Sequence, residues 1–240
     1  MNSRTKEDFL NGQLLLIDKP LGWSSFQAVN KLKWAIRKEF KLKKIKIGHA
    51  GTLDPLATGL LLICTGKFTK TIPQLQRQIK EYTGTITLGA TTPSYDLETE
   101  INQNYPTNHI TEEKIKKTTS QFIGEIAQIP PVFSALKKDG KRLYEYARAG
   151  KEVVIHKRLI TISEFEIIAI TMPEIKFRVV CSKGTYIRSL AHDFGKALGS
   201  GAHLTELRRT KIGEHNVNKA IDPVIFADNL LDKKDDTPKN

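Results

Sequence analysis

Apolar and polar residues follow two different periods along this chain, and the alternation between them predicts interspersed strands and helices. Gln13 to Ile17 reads as a strand, closed by Asp18-Lys19-Pro20 and the turn residue Gly22. Ser24 or Ser25 then caps a helix that carries Phe26, Val29, Leu32, Ile36 and Phe40 on one stripe. Leu60 to Cys64 is an apolar run of strand length. From Glu81 to Leu88 the period is two, with Tyr82, Gly84, Ile86 and Leu88 on one face and Thr83, Thr85 and Thr87 on the other. A helix is expected from Thr111 to Phe122, with Glu112 and Glu113 favourably placed in its first turn. Ile129-Pro130-Pro131-Val132 must be extended, and a short helix from Lys141 to Ala149 stops at Gly150. Strands follow at Arg158 to Ile170 and Ile175 to Cys181, then a helix from Thr185 to Leu198 and a last strand from His203 to Arg209. The strands are not separated by a regular βαβ period and several look paired as hairpins. The fold class is therefore α+β, with a mixed, mostly antiparallel sheet and flanking helices. One domain is expected over residues 1–225, followed by a polar, disordered tail over 226–240.

Composition narrows the function classes. A chain of 240 residues can bury a sizeable core, and no apolar run approaches the length of a membrane span. The polar first eleven residues lack the apolar centre of a secretory signal, so a cytoplasmic protein is expected. Cys64 and Cys181 sit in apolar strand-like runs, as buried free thiols would, and with the scattered histidines they form no zinc pattern. Lys plus Arg is 38 against 26 Asp plus Glu, a net charge of +12. The excess clusters in Arg37, Lys38, Lys41, Lys43, Lys44 and Lys46, in Lys137, Lys138, Lys141 and Arg142, and in Arg208, Arg209 and Lys211. Such groups neutralise phosphates, although a lysine-rich solvated surface has the same composition. Charge alone does not separate RNA from DNA or from an anionic membrane.

The candidate chemistry lies in Gly48-His49-Ala50-Gly51-Thr52-Leu53-Asp54-Pro55-Leu56-Ala57-Thr58-Gly59. Its glycines allow close approach of a ligand, and Pro55 holds Asp54 extended and is suited to open a short helix. An isolated Asp-Pro is usually a helix cap. The whole string, GHxGxLDPxAxG followed by the Leu60–Cys64 run, resembles the catalytic motif of the bacterial tRNA pseudouridine-55 synthases of TruB type. Three more segments resemble the same family in the same order: Lys80-Glu81-Tyr82, Pro130-Pro131-Val132-Phe133-Ser134-Ala135-Leu136-Lys137, and Ser182-Lys183-Gly184-Thr185-Tyr186-Ile187-Arg188-Ser189-Leu190. Two departures stand out. Tyr95-Asp96-Leu97-Glu98-Thr99 lacks the glycine of the family's Asp-x-x-Gly, which leaves Asp96 between an RNA contact and a plain loop acid. After Gly213 too little chain follows for the small C-terminal RNA-binding domain of many relatives, so no separate one is expected.

The resemblance implies that the chain isomerises uridine 55 in the T-loop of tRNA to pseudouridine. The base is flipped, its glycosidic bond is broken, and C5 is joined to C1′, without cofactor, metal or redox change. It implies Asp54 as the catalytic carboxylate, ionised at neutral pH with an ordinary pKa of about 3.9, and leaves open whether it attacks C6 or C1′. Arg188 is implied as its charge partner, against a phosphate contact or a helix-surface arginine. Tyr82 is implied to face the flipped uracil and assist loss of the C5 proton, against simple core packing. His49 either fills the space the nucleotide vacates, flanked by Gly48 and Gly51, or is structural. Tyr186 supports Arg188 from beneath, Leu204 adds an apolar wall, and Lys43 and Lys44 meet phosphates. Lys19 and Pro20 are structural. The expected partner is the T-arm of tRNA, with no membrane, no obligate protein partner and a monomeric state. Gly66-Lys67 fails as a phosphate loop, because the spacing is wrong and Phe68 replaces the hydroxyl residue. Two other readings remain: an RNA-binding or tRNA-folding protein whose isomerase activity is secondary, and the same chemistry on another RNA.

Overall fold

The longest apolar run, Leu60 to Cys64, is the centre of a strand, Ala57–Thr65, that is buried on both faces. The computed structural model describes residues 4–134, 136–138, 140–151 and 153–231. In it the chain divides into two units, residues 1–80 with 208–240 and residues 81–207.

In the first unit, Ala57–Thr65 pairs antiparallel with Leu14–Lys19, from Leu14 opposite Cys64 to Lys19 opposite Gly59. It also pairs antiparallel with Ile47–His49, and its neighbour beyond is the strand Ala202–Ile212, whose end turns back into His215–Asn216. Period two sends Leu61 and Ile63 to one side, with Phe9, Leu15, Ile17 and Leu32. Leu60, Leu62 and Cys64 go to the other, with Ala50, Leu75 and Ile212. Both cysteines are buried and neither is in a disulfide, and burial raises the Cys64 thiol to about 11.

The helix Ser25–Glu39 opens with a capping box between Ser24 and Gln27. It buries Ala28, Val29, Leu32, Ala35 and Ile36. Its apolar stripe differs from the expected one. The small residues Ala28 and Ala35 mark the close-packed side, and that rotation leaves Phe26 outside the core, 68% exposed. A further correction concerns the expected tail from residue 226. Pro223–Leu231 is a helix, capped by Asp222 and burying Phe226, Ala227 and Leu230. The polar stretch from Asp232 lies outside the described residues.

The second unit is built on strands in the order Ala202–Ile212 (its first half), Lys80–Leu88, Glu174–Cys181, Arg158–Thr171 and Gly124–Gln128. Arg158–Thr171 pairs antiparallel with both of its neighbours. The threonine face of the Tyr82 strand is used for pairing: Thr85 donates to Glu206 (2.8 Å) and Thr87 meets Thr205 (3.1 Å). Phe165 meets Phe122, Phe177 and Phe194 edge-on, at centroid distances of 5.2–6.2 Å. The helix Ile187–Ala197 joins this cluster through Phe194 and also buries Ile187, Leu190 and Ala191. The expected class, α+β with a mixed, mostly antiparallel sheet, is what the chain adopts: Leu14–Lys19 with Ala57–Thr65, and Arg158–Thr171 with each of its neighbours, pair antiparallel, and an isolated parallel bridge joins Ile17 to Ile221.

Candidate active site

The Asp54 loop connects Ile47–His49 to Ala57–Thr65, and hydrogen bonds fix it residue by residue. Ala50 donates to Leu62 O (2.9 Å), and Ser25 Oγ accepts from Leu53 N (2.8 Å) while donating to Leu53 O (3.1 Å). Gly22 N donates to Pro55 O (2.9 Å) and Ala57 N to Asp54 O (3.1 Å). Pro55 therefore sits in a turn and not at the start of a helix, because the chain enters the strand two residues later. Gly51 and Gly59 have φ of 102° and 103°, and a Cβ on Gly59 would overlap the Arg209 backbone. The result is a rigid backbone carrying a half-buried Asp54 between exposed Thr52 and exposed Pro55 and Leu56.

Two buried cations surround this loop. Lys19 is fully enclosed, its Nζ donating to the carbonyls of Trp23 (2.5 Å), Pro20 (2.9 Å) and Pro55 (3.4 Å). Burial pulls its pKa down to about 8, attraction to Asp54 opposes that, and repulsion from Arg209 adds to it. The attraction is mutual, so the ammonium stabilises the carboxylate. Arg209 is 1% exposed, its Nε donating to Leu60 O (2.7 Å) and its Nη2 to Gly51 O (3.1 Å). Arg208 forms a two-point pair with Asp18 at 3.0 and 2.6 Å. The expected basic patch at Arg208 and Arg209 is thereby corrected: one cation is buried and the other is engaged. A run of cations in the sequence does not show which positions of a strand point inward. His49 and Gly48 lie on the short strand before the loop. Burial lowers the His49 pKa, a hydrogen bond to Gly51 opposes the shift and Arg209 adds to it, leaving a neutral imidazole at pH 7. Lys43 and Lys44 are exposed.

In the second unit, Arg188 occupies the first turn of Ile187–Ala197 and is 3% exposed. Its Nη1 donates to Ser94 O (3.1 Å), its Nη2 to Phe133 O (2.8 Å), and its Nε lies 3.5 Å from Asp96 Oδ2. A helix-surface arginine is excluded. Asp96 is 5% exposed, its Oδ1 accepts from Glu98 N (3.0 Å), and its carbonyl accepts from Thr92 and Ser94. It is thus neither a surface RNA contact nor a plain loop acid but the buried anion that holds Arg188. At the position of the missing glycine, Thr99 Oγ1 accepts from Ser94 N (3.0 Å), while Tyr95 takes a left-handed φ of 63°, with its ring stacked on His192 at 3.9 Å. Leu204, buried, donates its N–H to Tyr95 O (2.9 Å) and so secures the same loop. Tyr186 starts the Arg188 helix through its backbone, which exchanges two hydrogen bonds with the Gln128 amide at 2.8 and 3.1 Å. Gln128 was not foreseen; nothing in a strand-end glutamine marks it as a clamp. Tyr82 is 8% exposed on its strand.

Comparison with known proteins gives a consistent picture. A model described as TruB family pseudouridylate synthase (N terminal domain) matches residues 37–187. One described as tRNA pseudouridylate synthase B C-terminal domain matches residues 188–237, a stretch that contributes to both units. The chain is 68% identical to tRNA pseudouridine synthase B of Flavobacterium johnsoniae over 227 residues, 94% of this chain and 99% of that protein. It is 54% identical to the protein of the same name from Bacteroides fragilis, over 95% of this chain and 97% of that one. Among solved structures, one described as a Cbf5-Nop10-Gar1 complex is similar with TM-score 0.64 and 32% identity, over 88% of this chain and 53% of that chain. This chain spans about half the length of that structure's chain.

Proposed function

Since the chain belongs to the TruB family of pseudouridylate synthases, which isomerise uridine to pseudouridine in tRNA, we propose that it acts on uridine 55 of the T-arm loop, through Asp54. The observation that carries this reading is the loop itself: a backbone pinned at Leu53, Asp54 and Pro55 presents a half-buried carboxylate whose charge a buried ammonium supports. The base leaves its stack to meet that carboxylate. Asp54 attacks C6 or C1′, the N1–C1′ bond breaks, and the uracil turns over. C5 then bonds to C1′, the bond to Asp54 breaks with its electron pair returning to the carboxylate, the C5 proton is lost, and a proton is taken up at N1. Atoms and electrons balance within one nucleotide. Tyr82 supplies an aromatic face for the uracil and assists removal of the C5 proton. Arg188 supplies a preorganised positive charge, held in place by Asp96 as a positioning residue. Gly48, His49 and Gly51 border the approach to Asp54, Tyr186 and Leu204 support the loop and helix around Arg188, and Lys43 and Lys44 meet tRNA phosphates. The proposal includes a monomer working on tRNA in the cytoplasm.

The test uses a tRNA transcript with tritium at uridine C5. One equivalent of tritium is expected per tRNA, and none from a transcript with cytidine at position 55. Release that persists with cytidine 55 would move the chemistry to another uridine. Tight binding with no release at all would leave an RNA-binding protein.

Lys19 adds a pH prediction. Its folded pKa of about 8 lies below its ordinary 10.5, so the charge beside Asp54 is lost as pH rises through 8. Turnover is expected to decline above pH 8. Stability moves the other way: the unfolded chain holds the proton more tightly, so the cost of burying the ammonium is full below pH 8 and is relieved towards 10.5. Rates at saturating tRNA and melting temperatures across pH 7–10 check both signs, and a flat rate profile would remove Lys19 from the mechanism.

A further inference from the structure

The outer face of the helix Ser25–Glu39 carries an arrangement that neither the core nor the Asp54 loop uses. Phe26, Asn30 and Trp34 recur every four residues and are all exposed, Trp34 by 49%. At 1.5 Å per residue the stripe is about 12 Å long. It begins beside the loop, because Ser25, the residue before Phe26, is the one bonded to Leu53. Its far end is strongly basic. The Lys31 and Lys38 ammonium groups lie 5.2 and 4.9 Å from the Trp34 ring centroid. Around the indole is a shallow basin of about 500 Å³ lined by Asn30, Lys33, Trp34, Arg37, Lys38 and Leu42. Arg37 is fixed at its rim by donating to Leu42 O (3.2 Å).

Packing does not require this. The helix meets the core through Ala28, Val29, Leu32, Ala35 and Ile36, on the opposite side. Its only acid in sequence is the terminal Glu39, so Lys31, Lys33, Arg37 and Lys38 repel one another with no carboxylate interleaved. A polyanion relieves that repulsion, and a flat, half-exposed indole among cations is the arrangement on which an unpaired base stacks while its phosphates are neutralised. A membrane-surface helix would instead turn a broad apolar face outward, and here that face is in the core.

We propose that this face is an RNA track extending from the Asp54 loop, on which Trp34 stacks with an unpaired nucleotide of the substrate tRNA and Lys33, Arg37 and Lys38 hold the adjoining phosphates. The proposal rests on the reading that the chain acts on tRNA and adds to it a contact beyond the modified nucleotide.

Trp23 and Trp34 are the chain's two tryptophans. Trp23→Phe therefore leaves Trp34 as the sole indole reporter, and its emission is expected to be quenched when Asp54→Asn protein in that background is titrated with unmodified tRNA. Trp34→Ala should weaken tRNA binding about tenfold, within the range for loss of one stacking platform, and lower kcat/KM in step. Replacing Lys33, Arg37 and Lys38 together by Gln should reduce the slope of log K against log salt by about 2 to 3. Lys116 and Lys117 replaced by Gln, on a helix of the second unit, should not change that slope. Unchanged Trp34 emission and affinity, with tRNA still bound and modified, would overturn the track and leave the substrate assignment standing. A wild-type protein that neither binds nor modifies tRNA would overturn the reading beneath it. Capture of phosphatidylglycerol vesicles that Trp34→Ala abolishes, with tRNA affinity intact, would assign the face to a membrane and sink the proposal.

Discussion

Asp54→Asn protein is expected to bind unmodified tRNA and to release essentially no tritium from uridine C5. The loss should be at least about 10⁴-fold, the scale on which removing a nucleophile acts. The exchange keeps shape and removes charge, which isolates the chemical role. The backbone that presents residue 54 is held by Ser25, Leu62 and Gly22, none of which depends on the carboxylate. The fold of the loop should therefore survive. Lys19 loses the attraction that opposes its burial, so its pKa should fall below 8 and the variant should melt somewhat lower than wild type. A single-turnover tritium assay with saturating protein, together with filter binding and a melting curve, reads all three quantities. Equal release by both proteins would take Asp54 out of the mechanism.

The legibility of this site follows its chemistry. The Asp54 loop could be read because its constraints are local: glycines that must take positive φ or lie against a neighbouring backbone, and a proline that fixes its predecessor. Which cations serve that loop was not local information. Lys19 and Arg209 reach it through strand pairing across many residues, and in sequence Arg209 looked like one more surface charge. Asp96 was ambiguous for the same reason, since a loop carboxylate becomes a buried anion only once Arg188 is brought to it. Phe26 was placed in the core because a stripe drawn through the large residues ignored the alanines that set the contact side. The helix Pro223–Leu231 was missed because a polar terminus was extended back over an apolar segment. The fold class was easier, since irregular alternation of periods excludes a regular βαβ succession.

The second large effect is expected at Arg188. Arg188→Ala should lower turnover by about 10³-fold or more, the scale of losing one preorganised charge that stabilises a transition state, while tRNA affinity falls much less. The side chain is 3% exposed and holds two carbonyls and a carboxylate. Truncation strands Asp96 as a buried unpaired anion, which costs about 3–5 kcal/mol of stability, so an alanine variant that fails to fold would be uninformative alone. Arg188→Lys removes that difficulty. It keeps one positive charge near Asp96, yet a single ammonium on an unbranched stem cannot reproduce the fork that reaches Ser94, Phe133 and Asp96 together. The lysine protein should fold, bind tRNA within a few-fold of wild type, and still lose most of its turnover. Asp96→Asn should show a smaller loss, and the double variant should lose less than the sum of the singles, because the two side chains act through one ion pair. If affinity for tRNA falls as steeply as turnover in Arg188→Lys, the guanidinium is a phosphate contact and its assigned role is wrong.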